Sequence, residues 1–182
     1  MKKKKLLKKG FWLLIIIIML SIYNKLIKLK NNVKKQKANI EIYLNKRFDL
    51  IPNIVECVKS YSKYENETLE NVISLRNNYN EQKNMNIKAA ENLNNSLNNL
   101  LALVENYPEL KANSNYINLQ NELRNIEEEL EIARTRYNNV VTRYNTKIET
   151  IPNNLVASLF AFKKAELFKT EENKKNNIKL KL

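Results

Sequence analysis

The sequence predicts an all-α fold: an N-terminal transmembrane helix, an antiparallel helical bundle of about four long helices, and a short C-terminal helix. Three observations support this prediction. An apolar run near the N-terminus is suited to a membrane. Hydrophobic residues then recur at spacings of three and four, as on one face of a helix. No stretch alternates with the period of two that a half-buried strand shows.

The first element is the membrane anchor, residues 11–27, which follows a basic N-terminal tail over residues 1–10. Its core, Phe11–Tyr23 (FWLLIIIIMLSIY), is apolar on every side, unlike a helix that lies on a soluble core. The core alone spans about 20 Å of the ~30 Å hydrocarbon layer, so neighbouring leucines must extend it while lysines reach the headgroups. No small-residue cleavage site follows, which favours an uncleaved anchor over a signal peptide.

The net charge of +13 is concentrated at the two ends of the chain. Residues 1–37 carry 12 lysines and no acid, and residues 163–182 carry 7 lysines and 3 glutamates. Residues 38–162 carry 13 basic and 16 acidic side chains. Since a nucleic-acid-binding domain is expected to carry a basic face on its folded body, we predict no nucleic-acid partner. Residues 163–182 are interpreted as a basic, disordered tail.

Prolines divide the body, residues 28–162, into helical pieces. The stripe that leaves the anchor is interrupted at Gln36. A second helix is expected to begin near Asp49, with Pro52 in its first turn, where no amide donor is needed. The Asn-rich segment 77–86 is expected to break it, and the next stripe begins at residue 87 and closes at Tyr107-Pro108.

The strongest pattern predicts the last long helix, which Asn113 or Ser114 caps and Pro152 ends. Apolar residues recur there in steps of three and four, as in the a/d seam of a coiled coil. These residues are Tyr116, Leu119, Leu123, Ile126, Leu130, Ala133, Tyr137, Val140, Tyr144 and Ile148.

A short C-terminal helix is expected over Leu155–Phe162 (LVASLFAF). The segment is apolar enough to cap the end of the bundle or to lie on the membrane surface. Capping is the favoured interpretation.

The composition excludes most named catalytic templates. The chain has no His, one Gly and one Cys, which excludes His-based acid–base and metal sites, Gly-rich phosphate loops and an intrachain disulfide. We therefore predict no enzymatic activity, no catalytic residue, no cofactor, no metal and no small-molecule substrate. Cys57, between Val55 and Val58, is interpreted as a small packing residue.

Two Arg-Tyr-Asn motifs, 136–138 and 143–145, repeat at a spacing of seven residues. Both tyrosines fall on the seam, and both asparagines lie beside it on one face. In the favoured, structural interpretation the tyrosines fill the core and the asparagines bind backbone groups near Pro52 or Pro108. The alternative is a polar groove that recognises a partner peptide or a lipid headgroup.

A second polar group, Arg47, Asp49 and Glu56, surrounds Pro52. A helix cap with ordinary ion pairs is the favoured interpretation. Paired carboxylates for acid–base chemistry would have to converge from separate helices.

Several motifs resemble the LemA family. Tyr23-Asn24 follows the anchor, 46–53 reads KRFDLIPN, 100–112 reads LLALVENYPELKA, and the Tyr-Asn pairs come next. The resemblance extends from about residue 23 to residue 162, with departures at Gln36-Lys37, Phe48 and Cys57. It implies a bacterial membrane protein with one N-terminal span and a LemA-like helical bundle over 28–162, and it implies no reaction.

The orientation of the anchor is left open. Six lysines precede it and a similar number follow it, and the tight cluster before it slightly favours a cytoplasmic N-terminus. The LemA family is often described with its short N-terminus outside, which is the opposite arrangement.

We expect a membrane-anchored, non-enzymatic scaffold or interaction protein of the bacterial cell envelope, in the inner membrane. It would bind the bilayer through residues 11–27 and an unidentified protein partner through its body. A membrane-remodelling or lipid-organising protein, acting through the basic flanks and residues 155–162, is the alternative. The candidate interaction or structural residues are Tyr23, Asn24, Arg47, Asp49, Pro52, Asn53, Glu56, Tyr107, Pro108, Lys111, Arg136, Tyr137, Asn138, Tyr144, Asn145 and Pro152.

Overall fold

The structure, a computed structural model, describes residues 2–61, 66–81 and 87–168. These residues form helices and no β-strand, which confirms the predicted all-α fold. The helices are α1 (Lys2–Asp49), α2 (Ile51–Lys59), α3 (Asn66–Asn80), α4 (Ile87–Val104), α5 (Pro108–Lys111), α6 (Ser114–Glu149) and α7 (Asn153–Leu159).

The chain divides into two compact units. The first consists of residues 1–38 and 133–182, and the second consists of residues 39–132. The boundaries fall inside α1 and α6, the two longest helices, at 48 and 36 residues.

Helix α1 contains the predicted membrane anchor. It is long and apolar enough to cross a membrane, judged by length and composition. From Phe11 to Leu20 its large apolar side chains are mostly 50–65% exposed, whereas Leu26 is fully buried. Within the described parts of the chain the apolar run therefore stays largely exposed, and burial begins just beyond it.

The interruption of the apolar stripe at Gln36 does not break the helix, because α1 continues to Asp49. Val33 and Ile40 are both buried, and they are seven residues apart on one face of the helix. Lysine, glutamine and alanine occupy five of the six positions between them and are good helix formers. Local propensity and burial thus carry the helix past the gap in its apolar stripe.

The second unit is built around an apolar turn at Pro52. As predicted, Pro52 lies in the first turn of a helix, and that helix, α2, buries Ile51, Ile54 and Val58. Helix α3 packs against α2 and α4. The rings of Phe48 and Tyr79 meet edge to face, with 4.9 Å between their centroids, a favoured aromatic geometry.

The sequence predicts one helix from about Asp49 to the Asn-rich segment 77–86, whereas the structure has two, α2 and α3. Helix α2 ends at Lys59, where the Ser60 hydroxyl donates to the Glu56 carbonyl oxygen at 3.1 Å. Residues 77–80, expected to break a helix, belong to α3 because Tyr79 is buried against Phe48. The remainder of the expected break, residues 82–86, lies outside the described residues.

Helix α6 begins where the sequence predicted. The Asn113 side-chain oxygen accepts hydrogen bonds from the backbone N–H groups of Asn115 (2.9 Å) and Tyr116 (3.3 Å), which is the N-cap arrangement. The seam is buried at Leu123, Leu130, Ala133, Tyr137, Tyr144 and Ile148, but Val141 is fully buried in place of Val140. An α-helix has 3.6 residues per turn, so a strict heptad drifts around it and the next residue takes the buried position.

Helix α7 ends in a tight turn with a left-handed residue, Ala161, whose φ is 52°. The Phe162 N–H donates to the Ala157 carbonyl oxygen at 2.9 Å, and the Ala161 N–H donates to that of Ser158 at 3.2 Å. This pair of bonds defines a Schellman motif, in which glycine normally takes the left-handed position. The alanine Cβ makes that conformation unfavourable.

We expect Ala161→Gly to raise the free energy of unfolding by about 0.5–1 kcal/mol, since glycine adopts a positive φ without steric cost. Ala112→Gly is the matched control, because Ala112 also ends a helix but has a φ of −86°. That control should be neutral or slightly destabilising. Urea unfolding of the full chain in detergent micelles measures both effects, and equal changes in the two variants would contradict the prediction.

Candidate functional site

The two Tyr-Asn pairs of α6 bind a segment that lies C-terminal to α7. We call Tyr137, Asn138, Tyr144 and Asn145 the Tyr–Asn clamp, and residues 163–168 the bound segment. Both belong to the first unit. The bound segment has no helix or strand of its own, and the clamp contacts it almost entirely through its main chain.

Each clamp asparagine pairs with the backbone of one residue. Asn145 Nδ2 donates to the Ala165 carbonyl oxygen at 2.8 Å, and its Oδ1 accepts from the Ala165 N–H at 2.9 Å. Asn138 makes the same two bonds with Phe168, at 3.0 and 2.8 Å. A side-chain amide carries the same donor and acceptor as a peptide group, so each asparagine acts as the hydrogen-bonding partner that a neighbouring strand would supply.

The clamp tyrosines bind two further carbonyl groups of the bound segment. Tyr144 Oη donates to the Lys163 carbonyl oxygen and Tyr137 Oη to that of Glu166, both at 2.9 Å. Both tyrosine side chains are buried. They therefore act both as core residues of the seam and as donors, a common use of buried tyrosine.

The spacing of the two motifs matches the geometry of an extended chain. Seven residues of α-helix rise about 10.5 Å, and three residues of extended chain span about 10 Å. Asn145 and Asn138 therefore meet residues three apart, Ala165 and Phe168, in a segment that runs opposite to α6. The heptad repeat of α6 therefore places the tyrosines on the buried seam and also sets the spacing at which the asparagines bind the extended main chain.

Two side chains of the bound segment make specific contacts. The guanidinium carbon of Arg134 lies 5.1 Å from the centre of the Phe168 ring, within the range of a cation–π interaction. Lys164 forms an ion pair with Glu149. Glu166 and Leu167 are exposed, whereas Ala165 and Phe168 are half-buried.

These contacts differ from what the sequence predicted for the asparagines and the tail. The asparagines do bind backbone groups, but those of residues 165 and 168 rather than groups near Pro52 or Pro108. The sequence predicts that residues 163–168 belong to a disordered tail, but the clamp holds them in place. It binds their peptide groups, and this binding does not depend on which side chains they carry. Residues 169–182 of the expected tail lie outside the described residues.

Arg47 lies in the second unit, where it connects three helices. Its side chain is buried, its Nη1 lies 2.7 Å from a carboxylate oxygen of Glu127, and it also donates to the Asn94 side chain. A charge this buried needs such partners. The contacts of Arg47 with Glu127 and Asn94 are ion-pair and hydrogen-bond contacts of the kind that hold helices together.

Asp49 and Glu56 have different surroundings. Asp49 pairs with Arg76 at 3.2 Å, and the Arg76 Nε also donates to the Phe48 carbonyl oxygen at 3.1 Å. Glu56 lies in an open cleft between α2 and the start of α6. The cleft is lined by Asn53, Glu56, Cys57, Ser60, Tyr61, Asn113, Asn115, Asn118, Leu119 and Glu122.

The cleft does not activate its cysteine. Burial, and secondarily the negative charge of Glu56, raise the pKa of the Cys57 thiol. A raised pKa keeps the thiol protonated and unreactive at neutral pH, in agreement with a packing role. Asn113 closes one end of the cleft by donating to the Tyr61 hydroxyl at 3.0 Å.

Tyr23 joins the end of the apolar run to α7. Its ring centroid is 4.7 Å from that of Phe160 and 5.9 Å from that of Phe162. Of the other candidate residues, Asn24 and Arg136 are exposed. Tyr107 is half-buried and precedes Pro108 at the start of α5, where Lys111 pairs with Glu105. Pro152 follows a cis peptide bond and precedes α7.

Sequence reasoning missed three residues that matter at these sites: Arg76, Arg134 and Phe168. The sequence carries no signal for Phe168 as a partner of the clamp, because Asn138 binds only its backbone groups. Within the described ranges, no group of three or more His, Cys, Asp or Glu side chains could hold a metal ion.

Because of the clamp tyrosines, the free energy of unfolding depends on pH in the alkaline range. Burial raises the pKa of both phenols, and the charge of Glu166 raises that of Tyr137 further. In the unfolded chain they ionise near pH 10, while the folded chain keeps their protons. The unfolded state then binds fewer protons, so stability is complete below about pH 10 and falls as pH rises above it.

We therefore expect the urea-unfolding free energy of Tyr137→Phe/Tyr144→Phe to fall less steeply above about pH 10 than that of the wild type. Each tyrosine removed should reduce the slope by at most ~1.4 kcal/mol per pH unit. Tyr79 and Tyr116, whose pKa values burial also raises, remain in both proteins and provide an internal reference. Identical slopes for the two proteins would contradict the prediction.

Comparison with known proteins identifies the family. Residues 36–182 match the LemA family. The chain is 24% identical over 175 residues to Protein LemA of Metamycoplasma hominis, covering 90% of this chain and 80% of that protein. Magnetosome proteins MamQ 1 and MamQ 2 of Paramagnetospirillum magneticum are each 34% identical over 74 residues, 41% of this chain and 27% of theirs. The family match covers most of the chain and confirms the resemblance seen in its motifs: this chain belongs to the LemA family.

Proposed function

We propose that this protein is a non-enzymatic interaction protein of the bacterial cell envelope, anchored in the inner membrane by α1 and binding a protein partner through its helical body. The observation that supports this most directly is the continuity of α1. One helix carries the uncovered apolar run and then, from Leu26 onward, buried core positions. The body is therefore attached to the anchor without a flexible linker.

The chemistry of the clamp favours binding over catalysis. Its polar groups are tyrosine hydroxyls and asparagine amides, which are uncharged at neutral pH and engaged in hydrogen bonds to main chain. Arg47 and Asp49 are each engaged in an ion pair. These groups hold polypeptide segments in position.

The anchor is tested by alkaline carbonate extraction of membranes from bacteria that express the full chain. We expect the wild type to stay in the pellet. Ile16→Asp/Ile17→Asp should move most of it to the supernatant, since each acid at the centre of a span costs about 2.5–3.5 kcal/mol. Ile16 and Ile17 are 53% and 56% exposed, so their loss removes little packing within the protein.

Ile132→Asp is the matched control. Ile132 is an exposed apolar residue of similar exposure, 44%, but it lies on α6. It should stay in the pellet like the wild type. Release of the wild-type protein by carbonate would reject the anchor, and release of the control would show that extraction reports folding instead.

A second role, contact with the lipid surface, is favoured by the outer face of α7. Leu155 and Leu159 are four residues apart on α7 and are 69% and 66% exposed, while Val156 and Ala157 on the opposite side are buried. Such a face is typical of helices that lie in the membrane interface. The contact between Tyr23 and Phe160 places the helix beside the end of the apolar run, where aromatic residues mark the interface.

A tryptophan at Leu159, in a Trp12→Phe background, tests this contact. In vesicles of anionic lipid brominated near the top of the acyl chains, its fluorescence should fall at least about twofold. Thr135→Trp in the same background is the control, because residue 135 is exposed and lies about 21 Å along α6 from Glu149. Equal quenching at the two positions would contradict lipid contact by α7.

A further inference from the structure

We propose that the Tyr–Asn clamp is a docking site for an extended segment of a partner protein, which replaces residues 163–168 of this chain. The inference rests on the proposed interaction function and identifies the surface that performs it. The ligand it calls for is an extended peptide with a small residue and, three positions later, an aromatic residue.

The clamp recognises the main chain of its ligand. Six hydrogen bonds join it to the bound segment, and every one ends on a backbone N–H or carbonyl group of that segment. Any extended peptide carries these groups at the same spacing. Peptide-binding domains that add a strand to a sheet edge use the same principle, but here side-chain amides of a helix take the place of the edge strand.

Only two side chains of the bound segment are partly enclosed. Ala165 and Phe168 are half-buried at the points where the asparagines bind, and Arg134 covers the Phe168 ring. Lys163, Lys164, Glu166 and Leu167 are exposed. Selectivity is therefore confined to two positions, a small residue opposite Asn145 and an aromatic residue opposite Asn138 and Arg134.

The bound segment of this chain can be displaced by another peptide. It is short and lacks secondary structure, and its contacts with the clamp are non-covalent. Its advantage is its tether, which holds it near the clamp at an effective concentration in the millimolar range. A free peptide of the same sequence should therefore bind weakly to the wild type and well to a chain whose own segment no longer fits.

The experiment uses fluorescence anisotropy with the full chain in detergent micelles. The probe is a fluorescein-labelled, C-terminally amidated peptide with the sequence of residues 162–168, FKKAELF. Ala165→Pro/Phe168→Pro vacates the clamp, since proline has no N–H to donate to either asparagine. We expect the probe to bind this variant at least about tenfold more tightly than the wild type.

Two controls isolate the asparagines. Adding Asn138→Asp/Asn145→Asp to the vacated chain keeps the acceptor oxygens but removes the Nδ2 donors, so the probe should bind at least about tenfold more weakly. A probe with proline at the positions of Ala165 and Phe168 should not bind the vacated chain. The proposal is overturned if the vacated chain keeps its helical circular dichroism yet binds the probe no better than the wild type.

A photo-cross-linking measurement keeps the test decisive if the proline variant does not fold. The probe then carries benzoylphenylalanine in place of Phe168 and is added in millimolar amounts to the wild-type chain. Cross-links on α6 near Asn138 that are lost in Asn138→Asp/Asn145→Asp support the proposal, and cross-links unaffected by these substitutions overturn it.

Sedimentation distinguishes the source of the segment. A wild-type dimer that Ala165→Pro/Phe168→Pro converts to monomers would identify a second copy of this chain as the occupant and overturn the assignment to a different protein. Each of these results is independent of carbonate extraction. A failed docking site would leave the anchored interaction protein to act through another surface, whereas a failed anchor would leave the docking site intact.

Discussion

The pairing of an extended main chain with asparagine amides on a helix determines how the C-terminal part of this protein is organised. Peptide groups of a segment without secondary structure need partners when they leave water. Asn138 and Asn145 supply both a donor and an acceptor to one residue each, and the tyrosines beside them bind two further carbonyls. The segment after α7 is thereby fixed along α6 with few side-chain contacts.

This arrangement depends on two different periods that coincide. A heptad on α6 and three residues of extended chain cover nearly the same distance. The heptad is already required for the seam, which buries Tyr137 and Tyr144. The asparagines that follow these tyrosines in sequence therefore gain the correct spacing without a separate constraint, and the same repeat serves both the core and the clamp.

The exposed apolar run imposes the second constraint on the first unit. Within the described residues the apolar run of α1 stays largely exposed, and at its end Tyr23 packs against Phe160. The exposed face of α7 is held beside this point. The apolar run, helix α7 and the Tyr–Asn clamp thus lie within one compact unit, so the proposed peptide-docking surface and the proposed lipid-facing surface belong to the same part of the protein.

The sequence by itself determined the helices, the anchor and the family. Hydrophobic period, proline positions and caps are local properties, and they located α4, the start of α6 and the turn at Pro52. They did not predict the end of α2 at Lys59, and the helix break expected within residues 77–86 comes only after Asn80, because Tyr79 is buried against Phe48. Only the tertiary structure paired Arg47 with Glu127 and brought residues 163–168 to the clamp. Main-chain recognition leaves almost no trace in side-chain sequence, so the partner of the asparagines could not be read from the residues that it contains.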